Sequence, residues 1–269
     1  MQEEIVKMFD LSGKVALVTG GARHLGHDAA CVLAAAGCHV AITSRNLERV
    51  REAADRLSRA YAVEVLPLQL DQTDFQQVAQ VARRVHAWKG AVDILVNNAG
   101  GGSGKTVARL FERDPKDIDA LIGVNLTGLL YCCREIGRIM AEQRRGKIIN
   151  IASIAGLLGR DRRIYERSGM NGQPIDYAAS KAGVIGLTMD LAGFLSPMGV
   201  YVNAISPGGF ARDGLPEQFA KDYSERTPLG RMGRDGSDLK GAILFLASPA
   251  SDYVTGHNLV VDGGFSIWH

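Results

Sequence analysis

An α/β fold with a doubly wound parallel sheet is what this 269-residue sequence predicts. Three observations carry that expectation. Apolar, strand-like runs recur along the chain: "KVALVT", "HVAITS", "VEVLPLQL", "VDILVNN", "KIINIAS", "YVNAIS" and "NLVVD". Several are apolar almost throughout, as befits strands buried on both faces. Helical stripes lie between them, so strand and helix alternate from end to end. No repeat, low-complexity tract or linker divides the chain, so residues 1–269 read as one domain.

The elements follow in order. The first strand ends near Thr19 and a helix starts near Leu25, after the glycine turn "TGGARHLG". In "NLERVREAADRLSRA", Leu47, Val50, Ala54 and Leu57 share one helical face. The next helix opens on "TDFQ", where Thr73 and Gln76 match a capping box, and Phe75, Val78, Ala82 and Val85 form its stripe. Another opens on "DPKD", with Pro115 suited to a first helical turn.

Composition narrows the function. Hydrophobic residues make up 46% and charged residues 22%, with a net charge of +2. That balance offers no general attraction to nucleic acid or to a membrane surface. The opening "MQEEIVKMFDLSGK" has no apolar core of signal-peptide length, and no apolar run approaches a membrane span. Cys31, Cys38, Cys132 and Cys133 form no CxxC pair, so neither a zinc site nor a disulfide framework is expected. His24 and His27 lack the Cys, Asp or Glu cluster that would complete a metal site. A cytoplasmic protein without a metal is the expectation.

The turn after the first strand suits a pyrophosphate, because a helix N-terminus offers free N–H groups and partial positive charge. Gly20 permits the turn and Gly26 lets the helix approach the sheet, while His24 stands where such turns carry glycine. His24 is read either as a ligand of a phosphate or ribose oxygen or as a side chain pointing to solvent. Its backbone must avoid positive φ or bear strain. The second strand speaks to the cofactor. An NAD site places a carboxylate on the ribose 2′-OH, yet residues 39 to 47 hold no Asp or Glu. Ser44 and Arg45 stand there, and Arg23 approaches from the turn. Two guanidiniums suit a 2′-phosphate, so NADP(H) is preferred, with NAD(H) as the other possibility. The competing reading makes Arg45 a solvated helix-start residue.

Downstream, "YAASK" places Tyr177 and Lys181 four apart on one helical face. An ammonium about 4 Å from a phenol contributes roughly 4 kcal/mol at an effective dielectric of about 20. That would bring Tyr177 toward a pKa useful for proton transfer near neutrality.

Together, "TGGARHLG", "NNAG" (97–100), the Asn125 of "VNLTG", the Ser153 of "NIAS", "YAASK" and "SPGG" (206–209) resemble the short-chain dehydrogenase/reductase family. The match runs in order over nearly the whole chain. The C-terminal half looks most similar to gluconate 5-dehydrogenase-like and other sugar-acid members. The resemblance implies a single Rossmann domain with a seven-stranded parallel sheet, helices on both faces, and a homotetramer (or dimer). It implies that Tyr177 exchanges a proton with the substrate and that Ser153 hydrogen-bonds the same oxygen. Lys181 would hold the nicotinamide ribose, and Asn125 would hold a water that relays protons to Lys181. Asp71 and Gln72 would border the adenine. Leu25, Asn98, Ala99, Gly100, Pro207, Gly208 and Phe210 would line the cofactor. With the cofactor supplying the hydride, such residues orient and protonate.

Two departures from the family pattern point to the substrate. Ser153 and Tyr177 lie 24 positions apart, where the family has about a dozen. The excess, "GRDRRIYERSGMNGQP" at 159–174, carries Arg160, Arg162, Arg163 and Arg167 against Asp161 and Glu166. This segment joins the Ser153 strand to the Tyr177 helix. One or more of its arginines, Arg160 and Arg163 first, is expected to grip an anionic or highly hydroxylated substrate; a solvated flap is the alternative. Residues 208–233 match the family's substrate loop in position, and "FARDG" there lacks the family's frequent threonine. The expected activity is NADP(H)-preferring interconversion of a secondary alcohol and a ketone on a small sugar, sugar acid or polyol. A 3-oxoacyl-carrier-protein reductase is the alternative within the class, and a non-catalytic NADP(H) sensor or scaffold the alternative outside it.

Overall fold

The computed structural model describes residues 2–102 and 106–268. All seven apolar runs become strands: β1 (Val15–Val18), β2 (His39–Ser44), β3 (Val65–Gln69), β4 (Ile94–Asn97), β5 (Gly146–Ile151), β6 (Val200–Pro207) and, last in the chain, β9 (Asn258–Val261). They form one sheet in the order β3-β2-β1-β4-β5-β6-β9, and every pairing is parallel. Between β6 and β9, two short strands, β7 (Phe210–Ala211) and β8 (Gly233–Arg234), make a separate ladder. The helices are α1 (Glu3–Phe9), α2 (His24–Ala35), α3 (Leu47–Tyr61), α4 (Phe75–Lys89), α5 (Pro115–Ile122), α6 (Gly128–Gln143), α7 (Arg163–Arg167), α8 (Ile175–Leu195), α9 (Glu217–Glu225) and α10 (Lys240–Ala247).

The sheet divides the core into two layers. Ala16 and Val18 of β1 pack with α2, α3 and α10, whereas Val15 and Leu17 pack with α4, α6 and α8. Alternate residues of one strand thus feed opposite faces, which is why β1 is apolar throughout. Strand order reverses between β1 and β4. In an open α/β sheet, ligands bind in the crevice beyond the strand ends at that switch point.

Two local expectations need correction. Asp74, not Thr73, caps α4: its Oδ1 accepts from the Gln76 and Gln77 amides at 2.9 and 3.1 Å. Thr73 instead donates its hydroxyl to Asp71 Oδ1 at 2.7 Å. A carboxylate one residue nearer the helix is the better partner for its positive end. Second, Ile175–Met198 reaches a mean hydropathy of 1.2, long and apolar enough by composition to cross a membrane. Within it, however, Asp176, Tyr177 and Lys181 are buried against the rest of the fold. The Asp114 cap with Pro115 behind it appears as expected, its side chain accepting from the Lys116 amide at 2.8 Å.

Candidate active site

A cleft of about 970 Å³ lies beyond the strand ends at the β1/β4 switch. Its nucleotide end begins at the turn between β1 and α2. Gly20 is left-handed, and the Asn98 side chain donates to the carbonyls of Thr19 and Gly20. A Cβ on Gly26 would stand 2.3 Å from both Asn98 Nδ2 and the Gly20 carbonyl oxygen. Only glycine therefore lets α2 start this close to the end of β4. The result is a cradle with a helix N-terminus opening on it, which fits a dinucleotide's pyrophosphate. His24 takes φ 50°, the strained alternative, at a cost of roughly 1–2 kcal/mol. Its imidazole lines the cleft, and Nδ1 lies 3.4 Å from Asp235 Oδ2.

Gly20, Arg23, His24, Leu25, Ser44, Arg45, Asp71, Gln72, Asn98, Ala99, Gly100, Pro207, Gly208 and Phe210 all line the cleft. Gly26 does not; it acts through packing. Arg49, which the sequence reading passed over, joins Arg23 and Arg45 in the lining. Asn46 caps α3 by accepting from the Arg49 amide at 2.8 Å, and this places Arg49 on the first turn. Arg23 from the turn after β1 and Arg45 and Arg49 after β2 line the cleft there, and Glu48 between them does not; that is a donor set for phosphate rather than for a ribose diol. Gln72 is buried and donates to the carbonyls of Ala99 and Val124 at 3.0 and 2.6 Å. It braces the cleft wall.

At the other end of the cleft, Ser153, Tyr177, Lys181 and Asn125 come together. Ser153 follows β5 by two residues and caps the 3-10 turn Ile154–Gly156, accepting from the Ala155 amide at 3.1 Å. A Cβ on Gly156 would meet backbone atoms of Lys181 and Ala182 at 2.6 Å. The missing side chain brings the Ser153 turn onto α8, with Ala155 packed beside Tyr177. The Tyr177 ring packs in a small buried cluster with Leu121 and Ala155.

Electrostatics differ from the simple Tyr/Lys reading. Lys181 Nζ lies 5.9 Å from the centre of the Tyr177 ring and donates to the Ile151 carbonyl at 2.6 Å. Burial lowers its pKa to about 8. Burial also raises the Tyr177 pKa, opposed by the Ser153 hydrogen bond and by the charges of Arg160 and Arg212. The phenol is thus held protonated at neutral pH, ready to donate. Asn125 lies in a π-helical turn, Gly123–Thr127. Its Oδ1 accepts from the Gly101 amide at 2.8 Å, and its Nδ2 donates to the carbonyls of Gly101 and Leu121, both at 3.1 Å. These bonds brace Asn125 between Gly101 and the end of α5, at the wall of the cleft.

The 159–174 segment sorts its arginines. Only Arg160 lines the cleft. Its guanidinium lies 6.0 Å from the Tyr177 ring centre and donates to Gln173 Oε1 and the Pro174 carbonyl at 2.8 and 2.9 Å. Arg163 is a correction: it forks onto Asp161 at 2.8 and 2.9 Å, and its side chain is 76% exposed. Arg167 pairs with Asp222 of α9 at 2.9 Å. The cause is α7, which turns Ile164 inward onto Phe219, Tyr223 and Met232, so that neighbouring side chains face carboxylates at the rim. Arg212, just after β7, also lines the cleft. Among the described residues no three His, Cys, Asp or Glu side chains gather as a metal site.

A Rossmann sheet, a phosphate cradle at its switch point and a Ser–Tyr–Lys set, with Tyr177 and Lys181 buried, define a nicotinamide-dependent oxidoreductase. Comparison with known proteins agrees. A family model described as enoyl-(acyl carrier protein) reductase matches residues 20–266. The 3-oxoacyl-acyl-carrier-protein reductase FabG of Aquifex aeolicus is 34% identical over 257 residues, covering 94% of this chain and 98% of that protein. FabG of Thermotoga maritima is 36% identical over 263 residues, covering 96% and 99%. Among solved structures, a gluconate 5-dehydrogenase from Burkholderia cenocepacia, in complex with NADP and tartrate, is similar with a TM-score of 0.88. It shares 34% identity, with 98% of this chain and 100% of that one covered. The chain belongs to the short-chain dehydrogenase/reductase family and is an NAD(P)-dependent oxidoreductase acting on CH–OH and C=O groups.

Proposed function

We propose that the protein is an NADP(H)-preferring oxidoreductase that interconverts a ketone and a secondary alcohol on a compact anionic substrate, a sugar acid or related hydroxy acid. The observation that carries this reading is Arg160, a half-buried guanidinium 6.0 Å from the Tyr177 ring inside the cleft.

The dinucleotide would be held by the Gly20–Gly26 turn, by Arg23, Arg45 and Arg49 at its 2′-phosphate, and by Asp71, Asn98 to Gly100 and Pro207 to Phe210 along its length. When bound it supplies or accepts the hydride. Tyr177 Oη donates its proton to the substrate oxygen in reduction and recovers it in oxidation. Ser153 Oγ hydrogen-bonds that oxygen, and two aligned donors stabilise the charge that develops there. Lys181 fixes the ribose and keeps a positive charge on the helix of the phenol.

Kinship in sequence weighs toward the second reading, a 3-oxoacyl-carrier-protein reductase, since FabG proteins match the chain along its length. The cleft weighs toward the first. Segment 159–174 folds over the substrate end and packs on α9 through Ile164, Phe219, Tyr223 and Met232, a cap better matched to a small molecule than to a thioester on a long arm. Arg160→Met is expected to raise KM for an anionic substrate about tenfold or more, the loss of one charge-assisted contact. Steady-state kinetics checks this, and an unchanged KM removes Arg160 from substrate recognition. At the other end, Arg45→Ala is expected to cut the preference for NADPH over NADH about tenfold or more. The ratio of the two kcat/KM values measures it.

Assembly as a homotetramer or dimer in the cytoplasm is part of the same proposal. Leu130 of α6 and Met189 and Phe194 of α8 stay exposed at 40%, 57% and 68%, apolar surface that a second copy would cover.

A further inference from the structure

Left-handed backbone at His24 is a strain that glycine would not bear, and the surroundings show what the imidazole does in return. Asp235 Oδ2 lies 3.4 Å from His24 Nδ1, and the same oxygen lies 3.9 Å from Arg212 Nε. The β7–β8 ladder pairs Ala211 with Arg234, which sets Asp235 beside Arg212. A second tether is close by: the Gly236 amide donates to Asp28 Oδ2 at 2.7 Å, and Asp28 is buried on α2, one helical turn after His24. The turn after β8 is therefore fixed to the helix of the phosphate cradle at two adjacent points. His24 and Arg212 line the cleft, whereas Asp235 does not.

A carboxylate on Nδ1 fixes an imidazole's orientation and leaves Nε2 for a second partner. Both nitrogens donate only when the ring is protonated. We propose that His24 donates from Nε2, as imidazolium, to the pyrophosphate of the bound dinucleotide, and that Asp235 is the positioning residue that holds it through Nδ1. Through Arg212, the same carboxylate ties this grip to the substrate segment at 210–233. The charged groups facing His24 are Asp235 and Arg212 from the β7–β8 side and Arg23 from the turn. Binding then draws a proton onto His24. The inference rests on the placement of the cofactor at the α2 turn and not on the identity of the substrate.

Isothermal titration of the apoprotein with NADPH tests it, run just above neutral pH in two buffers of different ionisation enthalpy. Wild type, His24→Gly, Asp235→Asn and the double variant are compared, and the apoprotein Tm of each is recorded. Each single variant should weaken NADPH about fivefold or more, as expected for a charge-assisted contact. Both should take up fewer protons than wild type, and the double variant should bind no more weakly than His24→Gly alone. Equal affinity and equal proton uptake in wild type and His24→Gly would overturn the proposal. So would an Asp235→Asn variant that lowers the apoprotein Tm while leaving Kd and proton uptake unchanged, since its role would then be structural. Failure of wild type to bind NADPH at all would instead remove the cofactor assignment.

Discussion

Tyr177→Phe should lower turnover about 10²- to 10⁴-fold, the range set by removal of a positioned general acid. The substitution takes away one oxygen and leaves the ring in its packing with Leu121 and Ala155. NADPH affinity and thermal stability should therefore change little. The size of the loss follows from the electrostatics. Burial keeps the phenol protonated, Ser153 aims its hydroxyl at the same point, and Lys181 is held on the Ile151 carbonyl. Single-turnover kinetics followed by nicotinamide absorbance separates the chemical step from binding. Retention of more than about a tenth of wild-type turnover would contradict the assignment.

Asp176→Ala should cost about 3–5 kcal/mol of folding stability, as does removal of one partner from a buried ion pair. Arg113 Nη2 and Asp176 Oδ2 lie 2.8 Å apart, with the two side chains 1% and 6% exposed. Arg113 also donates to Thr106 Oγ1, to the Val107 carbonyl and to the Asp117 carbonyl. It thereby joins the loop before α5, α5 itself and the first turn of α8. Asp176→Ala removes the carboxylate that faces this buried guanidinium. Because Tyr177 is the next residue, kcat should fall as well. Asp176→Asn, which keeps an acceptor, should recover part of the stability. Urea unfolding measures both, and a loss below about 1 kcal/mol in the Ala variant, the usual worth of an exposed pair, would show that this pair is not an anchor.

The sheet was legible because its central strands β1 and β4 are buried on both faces, so the sequence shows them as nearly continuous apolar runs. The phosphate turn and the Ser–Tyr–Lys set were legible because each is local: a loop, a strand end and an i, i+4 pair. What escaped depends on distant contacts. Gly156 reads as an ordinary loop glycine until α8 is seen 2.6 Å from its missing Cβ. Arg212 is positioned by a two-residue ladder with no periodicity to betray it. Arg49 lies on the first turn of α3, four residues after Arg45, and both line the cleft; a second arginine so close to the first was a usable signal. Charge counting on segment 159–174 found the cation but not its direction. Ile164 decides that, by turning inward and leaving Arg163 and Arg167 to Asp161 and Asp222. The Tyr/Lys spacing gave a shared face, yet Lys181 reaches the Ile151 carbonyl, so proximity along a helix overstated its hold on the phenol.

The central claim, an NADP(H) oxidoreductase for compact anionic carbonyl or alcohol substrates, meets its most direct test in one assay. Purified wild-type protein is given keto and hydroxy sugar acids, neutral polyols and β-ketoacyl thioesters, each with NADPH or NADH (or the oxidised forms), and nicotinamide absorbance is followed. The expected result is the highest kcat/KM for a sugar acid with NADP(H), at least about tenfold above the same substrate with NAD(H). Turnover of the thioesters alone, or equal use of the two cofactors, would contradict it.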